Sequence, residues 1–392
     1  RSRIGTTHEG ARLAIETQRP VPIDGEHQFR GAKHGINVPV MFQDAAVAVI
    51  GIFAFLCQPS FGKLPSGERL ERIRRSPNYQ GGQFRNLQPT AMMTGKKSRW
   101  QALWEFVVSD RSGLYPEKPV PSVKTDLKQL PRTENLMVWF GHSSYLLLMD
   151  GKRFLVDPVF HAASPVPFIN RPFSGTDIYK PEDMPDIDYL VITHDHWDHL
   201  DYRTVKALKD RIGKVVCPLG VGEHFEHWGY RKEQLIELDW EEKAAPESGV
   251  TIHCLPTRHF SGRGLTANQT LWASFLLETS SLSVFIGGDG GYGTHFARIA
   301  SQHPDIDWAI LENGQYSGDW KYIHTMPDEL ARVARDLKAQ HIVTVHHSKF
   351  ALSKHTWDEP LRNEEQLRQD SVDIATIVIG GLINLGKHNL EQ

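Results

Sequence analysis

The sequence predicts an α/β fold in which two β-sheets pack face to face with helices outside them. Three observations carry that reading. Short apolar runs bounded by Gly, Pro and Asp come in two series, each followed by stretches of helical periodicity. Three histidines and three carboxylates fall within eight residues, His194 to Asp201, between an apolar run at 188–192 and a helical recurrence of Tyr202, Val205, Leu208 and Ile212. The chain of 392 residues has an ordinary globular composition and no internal repeat, so it can bury a large core around that loop.

Taken in order, residues 1–40 are polar, rich in Gly and basic residues, and without sustained period. They are expected to be a poorly ordered leader, and Met41 fits an initiation position. Residues 45–57 are an uncharged apolar run of thirteen, short of the roughly 20 needed to span a bilayer. No A-x-A cleavage site follows. The basic residues Lys63, Arg69, Arg72, Arg74 and Arg75 come next, a bias that keeps the following domain cytoplasmic. The expectation is a hydrophobic membrane-associating segment over 41–60. A signal segment leading to the periplasmic side and an amphipathic helix packed on the domain are the alternatives. Residues 61–135 are expected to be an extended, helix-poor arm. In it Trp100, Trp104 and Phe106 can share one helix face, and the Pro-rich stretch 116–131 reads as a linker.

The main domain is expected over 136–392. Residues 137–140, 145–149 and 152–156 are strand-like, with Asp150-Gly151 as a hairpin turn. Residues 161–185 form a Pro-rich loop. Its Pro165, Pro167, Phe168, Ile169, Pro172 and Phe173 fit either a lip over a pocket or a packed loop. Further strands are expected near 215–216 and at 235–238, 251–255, 273–277, 283–287, 308–311 and 341–345, with 374–379 the last. Helices are expected at 223–228, 295–300 and 326–337. The last has a Pro at its start and Leu330, Val333 and Leu337 on one face.

The chemistry is read from residues 193–201. In a helix, His194 and His196 would face nearly opposite ways. In extended backbone, residues two apart share a side and can converge on one ion. The chain must then turn, so Asp198 and His199 can converge on a second. Neutral imidazoles and a carboxylate suit zinc, and also iron or manganese. A His-rich surface loop is the plain alternative. Other chemistries find no support. No G-x-S-x-G elbow, P-loop or Rossmann fingerprint is present. Cys57, Cys217 and Cys254 make no disulfide framework. A net charge of −3 offers no footprint for nucleic acid.

The H-x-H-x-D-H pattern resembles the signature of the metallo-β-lactamase superfamily. The resemblance implies an αββα sandwich with an N-terminal extension, carrying two divalent metal ions, zinc first, at its rim. It implies that His194, His196 and His259 hold one ion, that Asp198, His199 and His346 hold the other, and that Asp289 bridges them. His259, Asp289 and His346 each follow one of the predicted strands. Gly141-His142-Ser143-Ser144 and Asp157-Pro158 also resemble segments near the metal pocket. Asp157 would orient a metal-bound histidine; His142 is either a pocket residue or a satisfied loop histidine.

A narrower resemblance covers roughly residues 136–385. Asp239-Trp240, the Pro-x-x-His-Phe run at 256–260, Gly288-Asp289-x-Gly-Tyr at 288–292, Tyr322-Ile323-His324 with Pro327-Asp328-Glu329, and His346 with Phe350-Ala351-Leu352 are similar to the N-acyl-phosphatidylethanolamine-hydrolysing phospholipase D family. This implies cleavage of a phospholipid phosphodiester at a membrane surface, with Asp198 and His324 as catalytic residues and a homodimer as one assembly open to the chain. The sequence departs from the family at Asp195, Trp197 and Gly290, where Asn, Tyr and Thr are familiar. The same metal shell would serve a lactonase or another phosphodiesterase. A non-enzymatic, metal-stabilised membrane adaptor is the reading from a different class.

Overall fold

A computed structural model of the chain describes residues 49–95, 104 and 112–386. The chain divides into a unit ending at Phe53 and a unit starting at Ala54. The expected leader 1–40, the start of the apolar run, and Trp100 and Phe106 lie outside the described residues; Trp104 is helical and exposed. Of the first unit, Val49, Ile50, Ile52 and Phe53 are helical and exposed. Among the described residues no helix is long and apolar enough to cross a membrane.

The arm that precedes the main sheets is less extended than its sequence suggests. It holds helix α1 (Gly67–Arg75) and a small hairpin of β1 (Tyr79–Gln80) and β2 (Gln83–Phe84). Ile73 is the one buried residue of α1 and enters the main core; the rest of the attachment is ionic. Arg69, only 10% exposed, reaches Glu223, Glu226 and Glu237 at 2.5–2.7 Å. The Pro-rich stretch 116–131 is laid on the domain, burying Val120 and Leu127 and hydrogen-bonding from Val120 N to Ser174 O.

Two seven-stranded sheets follow. The first comprises β3 (Leu136–Trp139), β4 (Tyr145–Met149), β5 (Lys152–Val156), β6 (Ile187–Val191), β7 (Ile212–Pro218) and β8 (Leu235–Leu238). The second comprises β9 (Lys243–Glu247), β10 (Val250–Leu255), β11 (Ser274–Thr279), β12 (Ser283–Ile286), β13 (Trp308–Glu312), β14 (His341–Val345) and β15 (Ile374–Ala375). The last strand, β16 (Leu382–Asn384), returns to the first sheet and pairs with β3. The expectation of a last strand over 374–379 is therefore corrected. Pairing with β14 covers only 374 and 375. Gly380 then adopts φ 78°, where a Cβ would strike Val123 O, and the chain turns across to the other sheet.

The layers follow from which faces are apolar. Met137, Trp139, Leu147 and Val156 meet Ile252, Phe275, Val284 and Val343 between the sheets. The outer face of the first sheet packs Leu146, Leu155 and Leu190 against α2 (Tyr202–Leu208) and α3 (Gly222–His227). The outer face of the second packs Leu276, Phe285 and Leu311 against α4 (His295–Gln302) and α5 (Pro327–Leu337). Strands β3 and β4 are buried at every position because both faces are covered. This is the αββα sandwich. A further helix, α6 (Glu359–Gln369), lies beyond β14. The sequence reading missed it, as it missed β9. The segments after β3, β5, β6, β10, β12, β13 and β14 then carry the residues considered next, and in open α/β sheets ligand sites form at the carboxyl ends of strands.

Candidate metal centre

Asp289 sits between two groups of histidines. Its Oδ2 is 3.1 Å from His199 Nε2, 3.7 Å from His259 Nε2 and 3.9 Å from His194 Nε2, while its Oδ1 is 3.2 Å from His346 Nδ1. His196 Nδ1 lies 2.9 Å from His194 Nε2 and 3.2 Å from His259 Nε2. Ligand atoms of His194, His196 and His259 all fall within 4.8 Å of one another, as do those of His142, Asp198, His199 and His346. Every residue that the sequence named as a ligand is in this cluster. His142 joins it as well, with Nε2 2.9 Å from Asp198 Oδ2.

The donor set fits metal ions on four counts. His196 Nδ1 stands 2.9 and 3.2 Å from the Nε2 atoms of His194 and His259, which approaches the roughly 3.3 Å edge of a tetrahedron with 2.0–2.1 Å bonds. His199 Nε2, His346 Nε2 and Asp289 Oδ1 are buried and lack hydrogen-bond partners among the described residues. Burial, with neighbouring histidines, holds His194 well below the usual imidazole range, and burial does the same for His259 and His346. These rings are therefore neutral, as ligands must be. Finally, burial disfavours a charged His199, yet the carboxylates of Asp289, Asp198 and Asp157 raise it well above that range. These carboxylates draw positive charge to the site, and a cation would satisfy the same pull.

The surrounding residues fix these side chains. Asp157 Oδ2 accepts from His199 Nδ1 at 2.8 Å, and Asp157 also receives Thr193 N and Oγ1, the orienting role expected of it. His142, Asp157 and His346 all adopt positive φ, 53°, 39° and 70°. Such backbone costs on the order of 1–3 kcal/mol per non-glycine residue and concentrates where function requires it. The three departures from the family pattern have local partners. Buried Asp195 accepts from Gly262 N and Thr270 Oγ1. The Arg263 guanidinium stacks 4.1 Å over Trp197 and donates to Asp195 O and Leu200 O. A Cβ at Gly290 would strike Thr257 Oγ1, whose hydroxyl donates to Asp289 O.

A cavity of about 290 Å³ opens onto the cluster. His196, Asp198, His259, Asp289 and His346 form its polar side, and Met92, Met93, Phe260, Trp320, Ile323 and Leu352 its apolar walls. His324 lines it too, with Nδ1 bonded to Glu312 Oε2 at 2.7 Å. Sequence reasoning missed Glu312. Its only signal was position: it ends β13 at the same sheet edge as the other site residues. Of the two readings of the loop at 161–185, a lip or a packed loop, the lip does not form over this cavity. Its Pro165, Val166, Pro167, Arg171 and Pro172 line a separate cavity of about 710 Å³ beside Phe55, Trp197 and Tyr202. Phe173 is buried, its N–H bonded to Lys349 O, which draws the loop's C-terminal part inward.

Residues 152–347 match the family model of the beta-lactamase superfamily domain. The chain belongs to the metallo-β-lactamase superfamily. As a member of it, the chain is 36% identical over 293 residues to an uncharacterized protein of Mycobacterium tuberculosis, covering 73% of this chain and 78% of that one. It is 29% identical over 297 residues to the N-acyl-phosphatidylethanolamine-hydrolyzing phospholipase D 1 of Caenorhabditis elegans, covering 70% of this chain and 82% of that protein. The crystal structure of a possible metal-dependent hydrolase from Veillonella parvula shares the fold at a TM-score of 0.51 and 15% identity, covering 64% of this chain and 99% of that one. A model for sugar diacid recognition matches residues 1–53, almost all of which lie outside the described residues. This superfamily member is thus a metallo-hydrolase, related to the N-acyl-phosphatidylethanolamine phospholipases D.

Proposed function

We propose that the chain is a binuclear hydrolase that cleaves the phosphodiester of N-acyl-phosphatidylethanolamine-like lipids, releasing phosphatidic acid and an N-acylethanolamine. The observation that carries this is the Asp289 carboxylate set between two histidine groups under an apolar-walled cavity. In this reading His194, His196 and His259 hold one divalent ion, Asp198, His199 and His346 the other, and Asp289 serves both, with zinc the metal that suits the donors first. Two such ions, when bound, make hydroxide available near neutral pH and neutralise an anionic ester.

The chain's own groups do the rest. His142 restrains Asp198 through its Nε2. His324, held at Nδ1 by Glu312, offers Nε2 to the phosphate or to the departing alkoxide. Met92, Met93, Phe260, Trp320 and Leu352 exclude water and contact acyl chains. The exposed Val49, Ile50, Ile52 and Phe53 associate with the cytoplasmic face of a membrane, where such lipids are met.

The test is a substrate panel on one metal-loaded preparation, in vesicles for the lipid and in solution for lactones and cyclic nucleotides. Turnover of the N-acylated lipid, with label from labelled water appearing in phosphatidic acid, is expected. A loaded enzyme that ignores the lipid yet hydrolyses lactones or cyclic nucleotides would overturn the substrate; label in the N-acylethanolamine would overturn attack at phosphorus.

A further inference from the structure

Away from that centre, three metal-capable side chains converge on the outer face of the second sheet. His253 on β10, Glu278 on β11 and His303 at the C-terminal cap of α4 each bring a ligand atom within 4.8 Å of the other two. His253 Nε2 is 2.6 Å from Glu278 Oε2, and the His253 and His303 rings are 4.7 Å apart, inclined at 69°. We propose that His253, Glu278 and His303 form a separate site for a zinc-class divalent ion, with a fourth position open to water.

Two imidazoles and a carboxylate are a recurrent zinc donor set, and the same donors take nickel or copper. The triad draws on three elements, so it is not a local sequence accident. A hydrogen bond accounts for His253 and Glu278 as a pair, but not for His303: its ring makes no hydrogen bond with the described residues. The end of a helix favours a cation, because its last carbonyls carry partial negative charge, and α4 ends at Gln302, one residue before His303. The other charges facing the triad are Glu241, already paired with Arg298 at 2.7 Å, and Lys243 on β9, whose backbone pairs with that of His253. Glu278 is the carboxylate in direct contact with a triad imidazole, that of His253.

The position gives the site a use. Strand β10 runs on to His259, and α4 follows the loop that carries Asp289. An ion held by His253, Glu278 and His303 ties those two elements together at the end remote from the main cluster. It therefore stiffens the frame without touching substrate.

The test uses the full chain, stripped with a chelator and dialysed against Zn²⁺, with ions per chain counted by elemental analysis. His303→Gln is expected to hold one ion fewer than the wild type, to keep the wild-type turnover, and to lose part of the rise in melting temperature that added Zn²⁺ gives. Glu278→Gln, at a half-exposed position, should behave alike and serves if the first variant misfolds. The comparison is between wild type and variant under one condition, so loss of ions from the central cluster lowers both counts and leaves the difference. Equal ion counts in wild type and variant would overturn the proposal.

Discussion

Glu312 and His324 form a buried pair, the carboxylate Oε2 accepting from imidazole Nδ1 at 2.7 Å while Oε1 receives the backbone N–H groups of Thr325 and Gly290. Burial pushes the Glu312 carboxyl up to about 7. Burial opposes a charged His324, but Glu312 raises its pKa nonetheless. The pair thus keeps a proton near neutrality, and His324 Nε2 can offer it.

Glu312→Gln preserves the shape and removes the charge-assisted acceptor. Turnover is expected to fall about 10–100-fold, the usual loss when an orienting partner is removed. His324→Ala should lower turnover at least as far, and lower metal content much less. Steady-state kinetics with elemental analysis on the same samples checks both; a proportional loss of metal and activity would make His324 a ligand instead.

Lys349 is fully buried, donating from Nζ to Phe140 O at 3.0 Å and Val159 O at 2.8 Å, so it joins the segments that carry His142 and Asp157. Burial lowers its pKa to about 7 from 10.5. Between those values the unfolded chain binds the proton more tightly, so this residue's contribution to stability rises as pH increases through the window and is lost as pH falls towards 7. Lys349→Met should therefore be more destabilised relative to wild type at pH 9 than at pH 6. Melting temperatures of both chains at the two pH values measure this, and a pH-independent difference would show that the amine is already charged in the folded chain.

Pro59 and Ser60 lie in the segment expected to bind membrane, yet their carbonyls are used by the domain. Trp228 Nε1 donates to Pro59 O at 2.7 Å, and Arg263 Nη2 to Ser60 O at 2.8 Å. Deleting residues 1–53 should abolish pelleting with vesicles and leave melting nearly unchanged. Deleting 1–60 also removes acceptors for two buried donors, at about 1–3 kcal/mol each, and should lower the melting temperature by several degrees. Equal melting of the two truncations would show that these carbonyls contribute nothing.

Most of the centre was legible because its information is local. His194, His196, Asp198 and His199 fall in one strand-to-helix loop, and His259, Asp289 and His346 each close an apolar run that could only be a strand. Glu312 was not legible, since a single Glu after an apolar run has no spacing that separates it from a surface residue. Helix α1 was missed for a related reason. Gly67–Arg75 carries mainly charged side chains, and Arg69 anchors it through Glu223, Glu226 and Glu237, which are distant in sequence. Strand β9 includes Pro246 and sits at a sheet edge, where alternation is weak. The loop at 161–185 advertised apolar residues but not which cavity they would face, because that depends on Lys349 and Phe173 meeting across the fold.

The most direct measurement is the number of ions bound by the central cluster. Elemental analysis of the His303→Gln chain, which lacks the surface triad, should give two transition-metal ions per molecule, and adding Asp289→Ala should remove both with the activity, because that carboxylate faces His194, His199 and His259 with one oxygen and His346 with the other. A chain with no bound metal, or full activity without Asp289, would contradict the account.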